Sequence, residues 1–297
     1  MKADDRILEK APSLSGKTVA VTGTTGGLGK ELCCYLAKLG AELILLDRNL
    51  ERSRAFADAL SREFDSLKVR CMTVDLSDFS SVKQVTEILK QEKLDLFIHN
   101  AGAYSIPRRK CDTGFDNVFQ INFVSPYYMI RELLPTLRAL GGRVVVVGSI
   151  AHRYSKSAAD DIDFSSRKQA SKVYGNAKRY LMFSLFELFR REERVTLSVT
   201  HPGISFTNIT AHYPKLIFAV ITHPMKIIFM KPKKAALSIL QGVIESCGAR
   251  EWIGPWLFDI WGMPKKKKLH SCKTEEMERI GRTAEEIYQK LHEGSVK

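Results

Sequence analysis

The chain has 297 residues, and its 46 lysines and arginines against 33 acidic residues give a formal net charge of +13. Hydrophobic residues make up 44% of the sequence and charged residues 27%, which excludes the disordered, collagen-like and coiled-coil classes. No apolar run of about 18 residues is free of charges, so a membrane-spanning helix is not expected. The first residues also lack the apolar stretch of a secretory signal. We therefore expect a globular protein of the cytoplasm.

The cysteines and the basic residues indicate neither a metal site nor a nucleic-acid site. Six cysteines, of which Cys33 and Cys34 are adjacent, follow no disulfide or zinc-ligand spacing. Most basic residues are scattered among acidic ones, without the aromatic and basic platform that nucleic-acid binding needs. The uninterrupted run from Lys265 to Lys268 has two interpretations. It is a solvated basic turn, or it makes at most a weak peripheral contact with an anionic membrane.

The first half of the chain alternates short apolar runs with stretches of helical period. The apolar runs predict buried strands at 17–23, 41–47, 68–75, 94–102 and 141–149. The stretches between them predict helices that end at Leu39 or cover 51–64, 80–93 and 115–139. Apolar strands that alternate with helices are typical of a parallel sheet covered on both faces. The sequence therefore predicts an α/β fold, a single doubly wound Rossmann-type domain with a mainly parallel sheet.

The second half continues the alternation with three departures from it. A polar surface loop is expected at 151–171, before a helix near 172–192 and a sixth strand at 195–203. Residues 206–230 are apolar, aromatic and interrupted by prolines, which predicts a substrate lid or, alternatively, a helix pair packed on the sheet. The remaining predicted elements are a helix at 233–246, a last strand at 251–254, a basic turn from about 264 and a charged helix near 274–292.

The first predicted strand ends in a glycine-rich turn from Thr22 to Gly29. Such a strand-to-helix turn lets the backbone approach a pyrophosphate, and the helix N-terminus favours the negative charge. A P-loop is excluded because Glu31 follows Lys30 where that motif needs Ser or Thr. The spacing G-x-G-x-x-G is also excluded, which leaves T-G-x-x-x-G-x-G. The candidate cofactor-binding residues of this turn are Gly23, Thr25, Gly27, Leu28 and Gly29.

Two neighbouring residues at the end of the second predicted strand favour different cofactors. Asp47 lies 24 residues after Gly23, where an acidic side chain binds the hydroxyls of the adenine-side ribose and repels the extra phosphate of NADP. Arg48 follows it, and a guanidinium at that place binds a phosphate in bidentate fashion. We expect NAD as the favoured cofactor, with NADP as the alternative.

Tyr174 and Lys178 are four residues apart on a predicted helix and therefore share one face. An ammonium group nearby is expected to lower the pKa of a phenol towards the range in which it exchanges protons. Ser149 follows the fifth predicted strand, at the edge where open α/β sheets bind ligands, and its hydroxyl is expected to bind a substrate oxygen. Asn122 lies inside the predicted helix 115–139, where it would kink the helix or hold a water.

Taken together, these motifs resemble the classical-type short-chain dehydrogenase/reductase family, from about Gly16 to Gly254. The segment around Pro202 and Gly203, with the C-terminal tail, is similar to its retinol-dehydrogenase-like branch. The matching motifs, in chain order, are Thr22–Gly29, Asp75-Leu76, Asn100-Ala101-Gly102, Asn122, Ser149, Tyr174, Lys178 and Pro202-Gly203. His99 departs from the family pattern, which commonly has a second Asn there, and Gly148 replaces a common Ser.

The resemblance implies the transfer of a hydride between a nicotinamide cofactor and an alcohol or carbonyl substrate. It makes Tyr174 the proton-exchanging group, Lys178 the ribose-binding group and Ser149 the residue that holds the substrate oxygen. Asn122 would position a water, and Asp75 would contact the adenine. The other cofactor contacts that it implies are Leu76, Asn100, Ala101, Gly102, Pro202, Gly203, Ile204 and Thr207.

Two hypotheses about function follow from the sequence. In the first, the protein is an oxidoreductase whose apolar lid receives a lipophilic alcohol or carbonyl compound of the steroid, retinoid or long-chain type. In the second, it is a catalytically silent nucleotide-binding sensor or scaffold on the same fold. The resemblance also implies a possible homodimer, because the family often pairs through the helices near 115–139 and 172–192.

Overall fold

The computed structural model of the protein describes residues 3–203 and 230–294. Eight strands of these residues form one sheet in the order β3-β2-β1-β4-β5-β6-β7-β8. The strands are β1 Thr18–Thr22, β2 Glu42–Asp47, β3 Val69–Thr73, β4 Leu96–His99, β5 Arg143–Val147, β6 Thr196–Thr200, β7 Glu251–Leu257 and β8 Trp261–Lys268. Strands β1 to β7 are parallel to their neighbours, and β8 pairs antiparallel with β7.

Helices cover both faces of this sheet. They are α1 Ala3–Lys10, α2 Gly27–Lys38, α3 Leu50–Glu63, α4 Phe79–Lys90, α5 Asn117–Phe119, α6 Ser125–Leu140, α7 Ala170–Leu188, α8 Pro232–Ile244 and α9 Thr274–His292. Helices α1, α2, α3 and α8 contribute to the apolar core on one face. Helices α4, α6, α7 and α9 contribute to the core on the other. This is the doubly wound architecture that the alternation of elements predicts.

Alternate residues of the central strands supply these two cores. In β1, the side chain of Ala20 belongs to one apolar cluster, whereas Val19 and Val21 belong to the other. Successive side chains of a strand point to opposite faces, and a strand buried on both faces must therefore be apolar throughout. The apolar runs of the central strands predicted them for this reason, whereas β3, which contains Arg70 and lies at the edge of the sheet, is only partly buried.

The C-terminal tail differs from its prediction. The last parallel strand extends to Leu257, and residues Lys265 to Lys268 form part of strand β8 and not a basic turn. Each of these lysines pairs with a residue of β7, from Gly254 opposite Lys265 to Glu251 opposite Lys268. Strand β8 is the edge of the sheet, where lysines hinder pairing with another chain. A run of lysines is therefore compatible with an edge strand, which composition alone did not indicate.

The predicted surface loop at 151–171 is also more ordered than expected. It begins with a 3₁₀ helix at Ile150–Tyr154, and Phe164 is buried in a small cluster with Val173 and Tyr174. The Asp163 carboxylate accepts hydrogen bonds from the backbone of Asp116 at 2.7 Å and of Ser165 at 3.0 Å. The segment was expected to be a solvated loop because most of its side chains are polar. Several of these polar side chains, however, form hydrogen bonds to the backbone.

No helix in the described ranges 3–203 and 230–294 is long and apolar enough to cross a membrane. The predicted lid at 206–230, and with it Ile204 and Thr207, falls outside these ranges except for its last residue, Met230. Met230 is buried and belongs to the apolar cluster of helix α8.

Candidate active site

A cavity of about 610 Å³ opens along the carboxyl ends of the parallel strands. This edge is where the topology of open α/β sheets places ligands. The cavity is lined by every predicted site residue in the described ranges except Asn122, which lies behind the wall. The residues concerned are Gly23, Thr25, Gly27, Leu28, Gly29, Asp47, Arg48, Asp75, Leu76, Asn100, Ala101, Gly102, Ser149, Tyr174, Lys178, Pro202 and Gly203.

The glycine turn is packed so closely that side chains do not fit at two positions. A Cβ on Gly29 would lie 2.2 Å from the carbonyl oxygen of Gly23, closer than any real contact. Gly23 has a φ of +72°, and a Cβ there would lie 2.9 Å from the Cα of Ala101. These glycines hold the start of α2 against β1 and β4, which exposes the helix N-terminus to the cavity.

Asn100 braces the same turn from the neighbouring strand. Its side-chain amide donates hydrogen bonds to the carbonyl oxygens of Thr22 and Gly23, both at 3.0 Å. The Oδ1 atom of Asn100 is buried and has no hydrogen-bond partner among the described residues. A buried acceptor without a partner is unfavourable, and this one belongs to a residue that lines the cavity.

The Asp47 carboxylate is directed into the turn and is only 3% exposed as a residue. It accepts hydrogen bonds from the hydroxyl of Thr24, from the backbone N–H and hydroxyl of Thr25, and from the hydroxyl of Ser53. A carboxylate has about four lone-pair sites, and four donors from the chain itself already occupy them. Arg48, by contrast, is exposed at the cavity rim.

Asp75 and Leu76 form the next part of the wall, after strand β3. The Asp75 Oδ1 atom accepts hydrogen bonds from the backbone N–H of Ser77 at 2.8 Å and from its hydroxyl at 2.7 Å. The carbonyl oxygen of Leu76 accepts a hydrogen bond from the Ser125 hydroxyl at 2.7 Å. Both residues are thus held by the loop and by helix α6, whose side chains lie beneath them.

Ser149 and Tyr174 meet at the floor of the cavity. Ser149 precedes the 3₁₀ helix, and its Oγ accepts a hydrogen bond from the backbone N–H of Ala151 at 3.2 Å. Burial raises the pKa of the Tyr174 phenol to about 12, although a hydrogen bond with the Ser149 hydroxyl acts in the opposite direction. The ring of Tyr104 packs edge-on against the ring of Tyr174, with centroids 5.3 Å apart.

Lys178 is almost fully buried on the same face of α7, one turn further along. Its Nζ donates a hydrogen bond to the carbonyl oxygen of Val147 at 2.8 Å and lies 5.8 Å from the centroid of the Tyr174 ring. Burial lowers the pKa of this ammonium group to about 7. The neutral amine is therefore far more accessible for Lys178 than for a lysine in solvent.

The pKa of Tyr174 in the chain by itself lies in the opposite direction from the one expected beside an ammonium group. The pKa of Tyr174 is raised, and burial is the largest cause. Burial also lowers the pKa of Lys178 and so weakens the tendency of its amine to carry a positive charge. Helical spacing placed the two side chains correctly, but it contained no information on how dry their surroundings are.

Asn122 holds the loop after β4 from behind. Its amide donates hydrogen bonds to the carbonyl oxygens of Ala103 and Val118, both at 2.8 Å, and its Oδ1 accepts one from the N–H of Ala103 at 3.2 Å. It lies in a π-helical turn, Gln120–Val124, between α5 and α6. The helix predicted over 115–139 is therefore distorted at Asn122, which was one of the two expectations for this residue.

Sequence reasoning missed His201, which lines the cavity next to Pro202. Its ring stacks on Trp252 with centroids 5.0 Å apart, and its Nε2 lies 3.0 Å from the carbonyl oxygen of Asp259. The Nδ1 atom is buried without a partner among the described residues, and burial lowers the pKa of the ring to about 3. A lone His before a Pro-Gly pair gave no signal of this arrangement.

His99, the departure from the family pattern, lies beneath the glycine turn. Its Nδ1 is 3.2 Å from the hydroxyl of Thr22, and it is completely buried. Gly148 lies against the Met182 side chain, whose sulfur would be 2.8 Å from a Cβ there and would have to shift. Both departures are thus accommodated without removing a group from the cavity.

The fold and this cavity together define a Rossmann-type protein built to bind a dinucleotide. The chain belongs to the short chain dehydrogenase family, whose family model matches residues 17–214. An uncharacterised oxidoreductase of Schizosaccharomyces pombe is 30% identical over 247 residues, which is 77% of this chain and 72% of the relative.

Two human relatives carry more specific names. Retinol dehydrogenase 14 of Homo sapiens is 32% identical over 67% of this chain and 65% of its own length. Polyprenol dehydrogenase of Homo sapiens is 28% identical over 68% of this chain and 64% of its own length. The match therefore spans less than two thirds of either human relative.

Solved structures share the fold at lower identity. A protein of Mycobacterium paratuberculosis has a TM-score of 0.77 at 23% identity, covering 95% of this chain and 97% of that one. The NADP complex of Pseudomonas aeruginosa RhlG has a TM-score of 0.60 at 23% identity, covering 78% and 91%.

Proposed function

We propose that the protein is an NADP-dependent oxidoreductase that interconverts a lipophilic alcohol and its carbonyl compound. The observation that carries the proposal is the meeting of Ser149, Tyr174 and Lys178 on the floor of one cavity that also contains the glycine turn. The names of the relatives, a retinol dehydrogenase and a polyprenol dehydrogenase, support the same reaction class.

The residues present fit a nicotinamide dinucleotide. The glycine turn is closed so tightly that a Cβ on Gly29 would overlap the carbonyl oxygen of Gly23, and the start of α2 at this turn offers N–H groups to a negatively charged group. The unpartnered Oδ1 of Asn100 is an acceptor still available in this part of the wall. When bound, such a cofactor supplies or accepts the hydride of the reaction.

Residues of the chain then transfer the proton and bind the substrate oxygen. With a pKa of about 12, Tyr174 is protonated at neutral pH, which is the state that donates a proton to a developing alkoxide. The hydroxyl of Ser149 is placed to donate a hydrogen bond to the same oxygen. Lys178 is one turn from Tyr174, with its Nζ bonded to the carbonyl oxygen of Val147, and lines the same cavity.

The substitution Tyr174→Phe tests the proposed chemistry. Turnover of a reducible carbonyl compound should fall by about 100- to 10,000-fold, the usual contribution of a positioned acid, while cofactor binding is retained. Tyr180→Phe is a matched control, because Tyr180 is buried on the same helix and belongs to the apolar core. Wild-type protein that binds cofactor without turning over any alcohol or ketone of a broad panel would instead favour the silent sensor.

The preference for NADP rests on the hydrogen bonds of Asp47. Its oxygens are occupied by Thr24, Thr25 and Ser53, so they have little capacity left for ribose hydroxyls. Arg48 is exposed at the rim, and a guanidinium is the natural partner of a phosphate. On this ground we favour NADP over NAD, the cofactor expected from the order of the two residues. NADP is also the ligand of solved neighbours such as RhlG.

Fluorescence titration with NADPH and NADH tests this preference. Arg48→Ala should weaken NADPH binding by about tenfold or more, the effect of losing a charge-assisted contact of about 1.5 kcal/mol, and leave NADH binding nearly unchanged. Arg52→Ala, an exposed arginine on the following helix, is the control. Tighter binding of NADH than NADPH by the wild type would contradict the proposal.

The lipophilic substrate class rests on the apolar part of the cavity wall. That wall contains the apolar or aromatic side chains of Tyr104, Ile106, Ile121, Ile150 and Tyr154. Apolar walls with a few convergent polar groups are typical of sites for lipophilic ligands. Across a series of straight-chain aldehydes, kcat/KM should rise with chain length, and a flat series would exclude this substrate class.

A further inference from the structure

The turn between strands β7 and β8 carries an exposed apolar surface. Among the described residues six large apolar side chains are exposed, and three of them, Trp256, Phe258 and Met263, belong to this hairpin. A fourth, Tyr154, is adjacent, because the Arg153 guanidinium binds the Asp259 carboxylate at 2.8 Å. We call these four side chains the apolar tip. Phe258 is 77% exposed and Trp256 is 57% exposed. These large apolar side chains therefore contribute little to the core of the domain.

The backbone of the turn between β7 and β8 has a strained conformation. Phe258 and Asp259 both have positive φ angles, +53° and +60°, in the region that residues other than glycine rarely adopt. Asp259 is fixed by three contacts: its carboxylate binds Arg153 and Lys267, and its carbonyl oxygen lies 3.0 Å from the Nε2 of His201. Strain that the surrounding structure enforces is typical of functional sites. Here its result is a Phe side chain held out in solvent.

Positive charge surrounds the apolar tip. Lys231 and Lys234 are exposed at the start of α8, next to Met230. Met230 and Pro255 both lie within about 3.1 Å of the position that a Cβ would take on Gly203, which places the start of α8 beside the hairpin. Lys265 is exposed on strand β8 and pairs with Gly254. The acidic Asp259 of the turn is paired with two cations, so the surface that remains is apolar and basic.

We propose that the apolar tip and these lysines dock the protein on an anionic phospholipid bilayer. Trp and Tyr are favoured at the interface between membrane and water, and each lysine near an anionic surface adds to the attraction. A second copy of this chain fits less well. Four side chains fall far short of the 20 to 30 residues a side, about 800 Å², of a stable protein interface. In a symmetric dimer the lysines would also face one another.

The position of the tip gives the docking a consequence for the proposed function. Tyr154 both belongs to the apolar tip and lines the cavity, so the cavity mouth lies next to the docked surface. If the proposed function holds, a lipophilic substrate enters from the bilayer. The docking itself does not depend on turnover and is measured without it.

Vesicle sedimentation of the full chain tests the proposal. The vesicles are phosphatidylcholine alone and an equal mixture of phosphatidylcholine and phosphatidylglycerol. We expect the wild type to bind the mixed vesicles, with binding weakened by salt, and the double variant Trp256→Ser, Phe258→Ser to bind them at least about tenfold more weakly. Ile88→Ser is the matched control, because Ile88 is exposed on α4, away from the hairpin, and should bind like the wild type.

A triple variant, with Lys231, Lys234 and Lys265 each replaced by Gln, tests the charge separately and retains the hairpin. It should lose most of the preference for mixed over neutral vesicles. The proposal is overturned if the wild type fails to bind mixed vesicles, if it binds neutral vesicles equally well, or if Ile88→Ser loses as much binding as the double variant. Concentration-dependent dimerisation that the double variant abolishes, without vesicle binding, would assign the tip to a second copy instead.

Discussion

At the scale of a single residue, Lys178 is a candidate functional side chain whose burial lowers the stability of the folded protein. It is among the largest fully buried side chains of the described residues, and burial lowers its pKa to about 7. Unfolded lysine keeps its proton up to about pH 10.4. Below about pH 7 the folded protein therefore contains a buried ammonium group, an unfavourable arrangement. Functional residues commonly oppose stability in this way.

Lys178→Met should therefore stabilise the protein while abolishing turnover. We expect a gain of about 1 to 3 kcal/mol at pH 7, less than the full pKa shift implies, because the variant leaves the carbonyl oxygen of Val147 without its partner. Between pH 7 and 10 the unfolded state of the wild type holds more protons than the folded state, so its stability rises with pH. The advantage of the variant should shrink over this range.

Denaturant unfolding of both proteins at pH 7 and pH 9.5 measures this difference. Lys172→Met is the control, because Lys172 is exposed on the same helix and should leave the free energy of unfolding unchanged at both pH values. A Lys178→Met variant less stable than the wild type at pH 7 would show that the ammonium group is better compensated than its surroundings indicate.

At this scale the sequence identified which residues meet but not how they are bonded. The spacing of Tyr174 and Lys178 and the place of Ser149 after a strand were sufficient to predict their proximity. The partners of Asp47 were not predictable, because Ser53 comes from the next helix and its approach depends on how α3 packs. Protonation could not be predicted either, since it depends on burial by distant side chains.

At the scale of an element, the turn between β1 and α2 depends on the close contact between Gly29 and the carbonyl oxygen of Gly23. This contact sets the shape of the cavity wall at the turn. A Cβ on Gly29 would overlap the carbonyl oxygen of Gly23, whereas the nearest atom to a Cβ on Gly26 would be 3.7 Å away. Gly26 also has an extended backbone, with φ of −80° and ψ of 159°. Alanine is therefore sterically acceptable at Gly26 and not at Gly29.

Gly29→Ala should destabilise the protein by about 2 kcal/mol, in the range of overpacking substitutions, and should abolish cofactor binding because α2 shifts away from β1. Gly26→Ala is the matched control for stability, because a Cβ there overlaps no backbone atom of the turn. Thermal unfolding and fluorescence titration measure the two effects. Cofactor binding by Gly29→Ala equal to that of the wild type would mean that this contact does not shape the site.

Elements were predictable where one physical cause determines them. The central parallel strands are largely apolar because both of their faces are buried, whereas β3 at the edge of the sheet is only partly buried. The helices between the strands have one apolar face. Strand β8 was not predictable, since its sequence from Trp261 to Lys268 contains a proline and four lysines. This segment forms a strand because β7 offers it an edge with free backbone groups to pair with. That edge is a property of β7 and is not encoded in the sequence of β8. The 3₁₀ helix after Ser149 likewise depends on contacts with α7.

At the scale of the whole molecule, helix α9 covers the faces of α6 and α7. These are the faces through which the resemblance implied that two chains form a dimer. Its apolar side chains, among them Ile280 and Ala284, belong to the core that contains α6 and α7. Polar contacts lock it in place: Glu276 binds Arg179 of α7 at 2.6 Å, and Glu285 binds Arg131 of α6 at 2.8 Å. All residues of α7 from Val173 to Phe186 are buried, so the chain itself provides the cover that a partner would give.

We therefore predict that the protein is a monomer whose α6 and α7 faces become adhesive only when α9 is displaced. Ala284→Arg places a charged side chain in the core and should undock α9, so that light scattering detects dimers or larger species where the wild type shows the mass of one chain. Glu286→Arg is the matched control, because Glu286 is exposed on the same helix, and it should remain monomeric. A wild-type dimer unaffected by either substitution would place the pairing surface elsewhere and contradict the role assigned to α9. A wild-type dimer that Ala284→Arg dissociates would show that α9 is itself the pairing element, because the apolar face then holds two chains together instead of one.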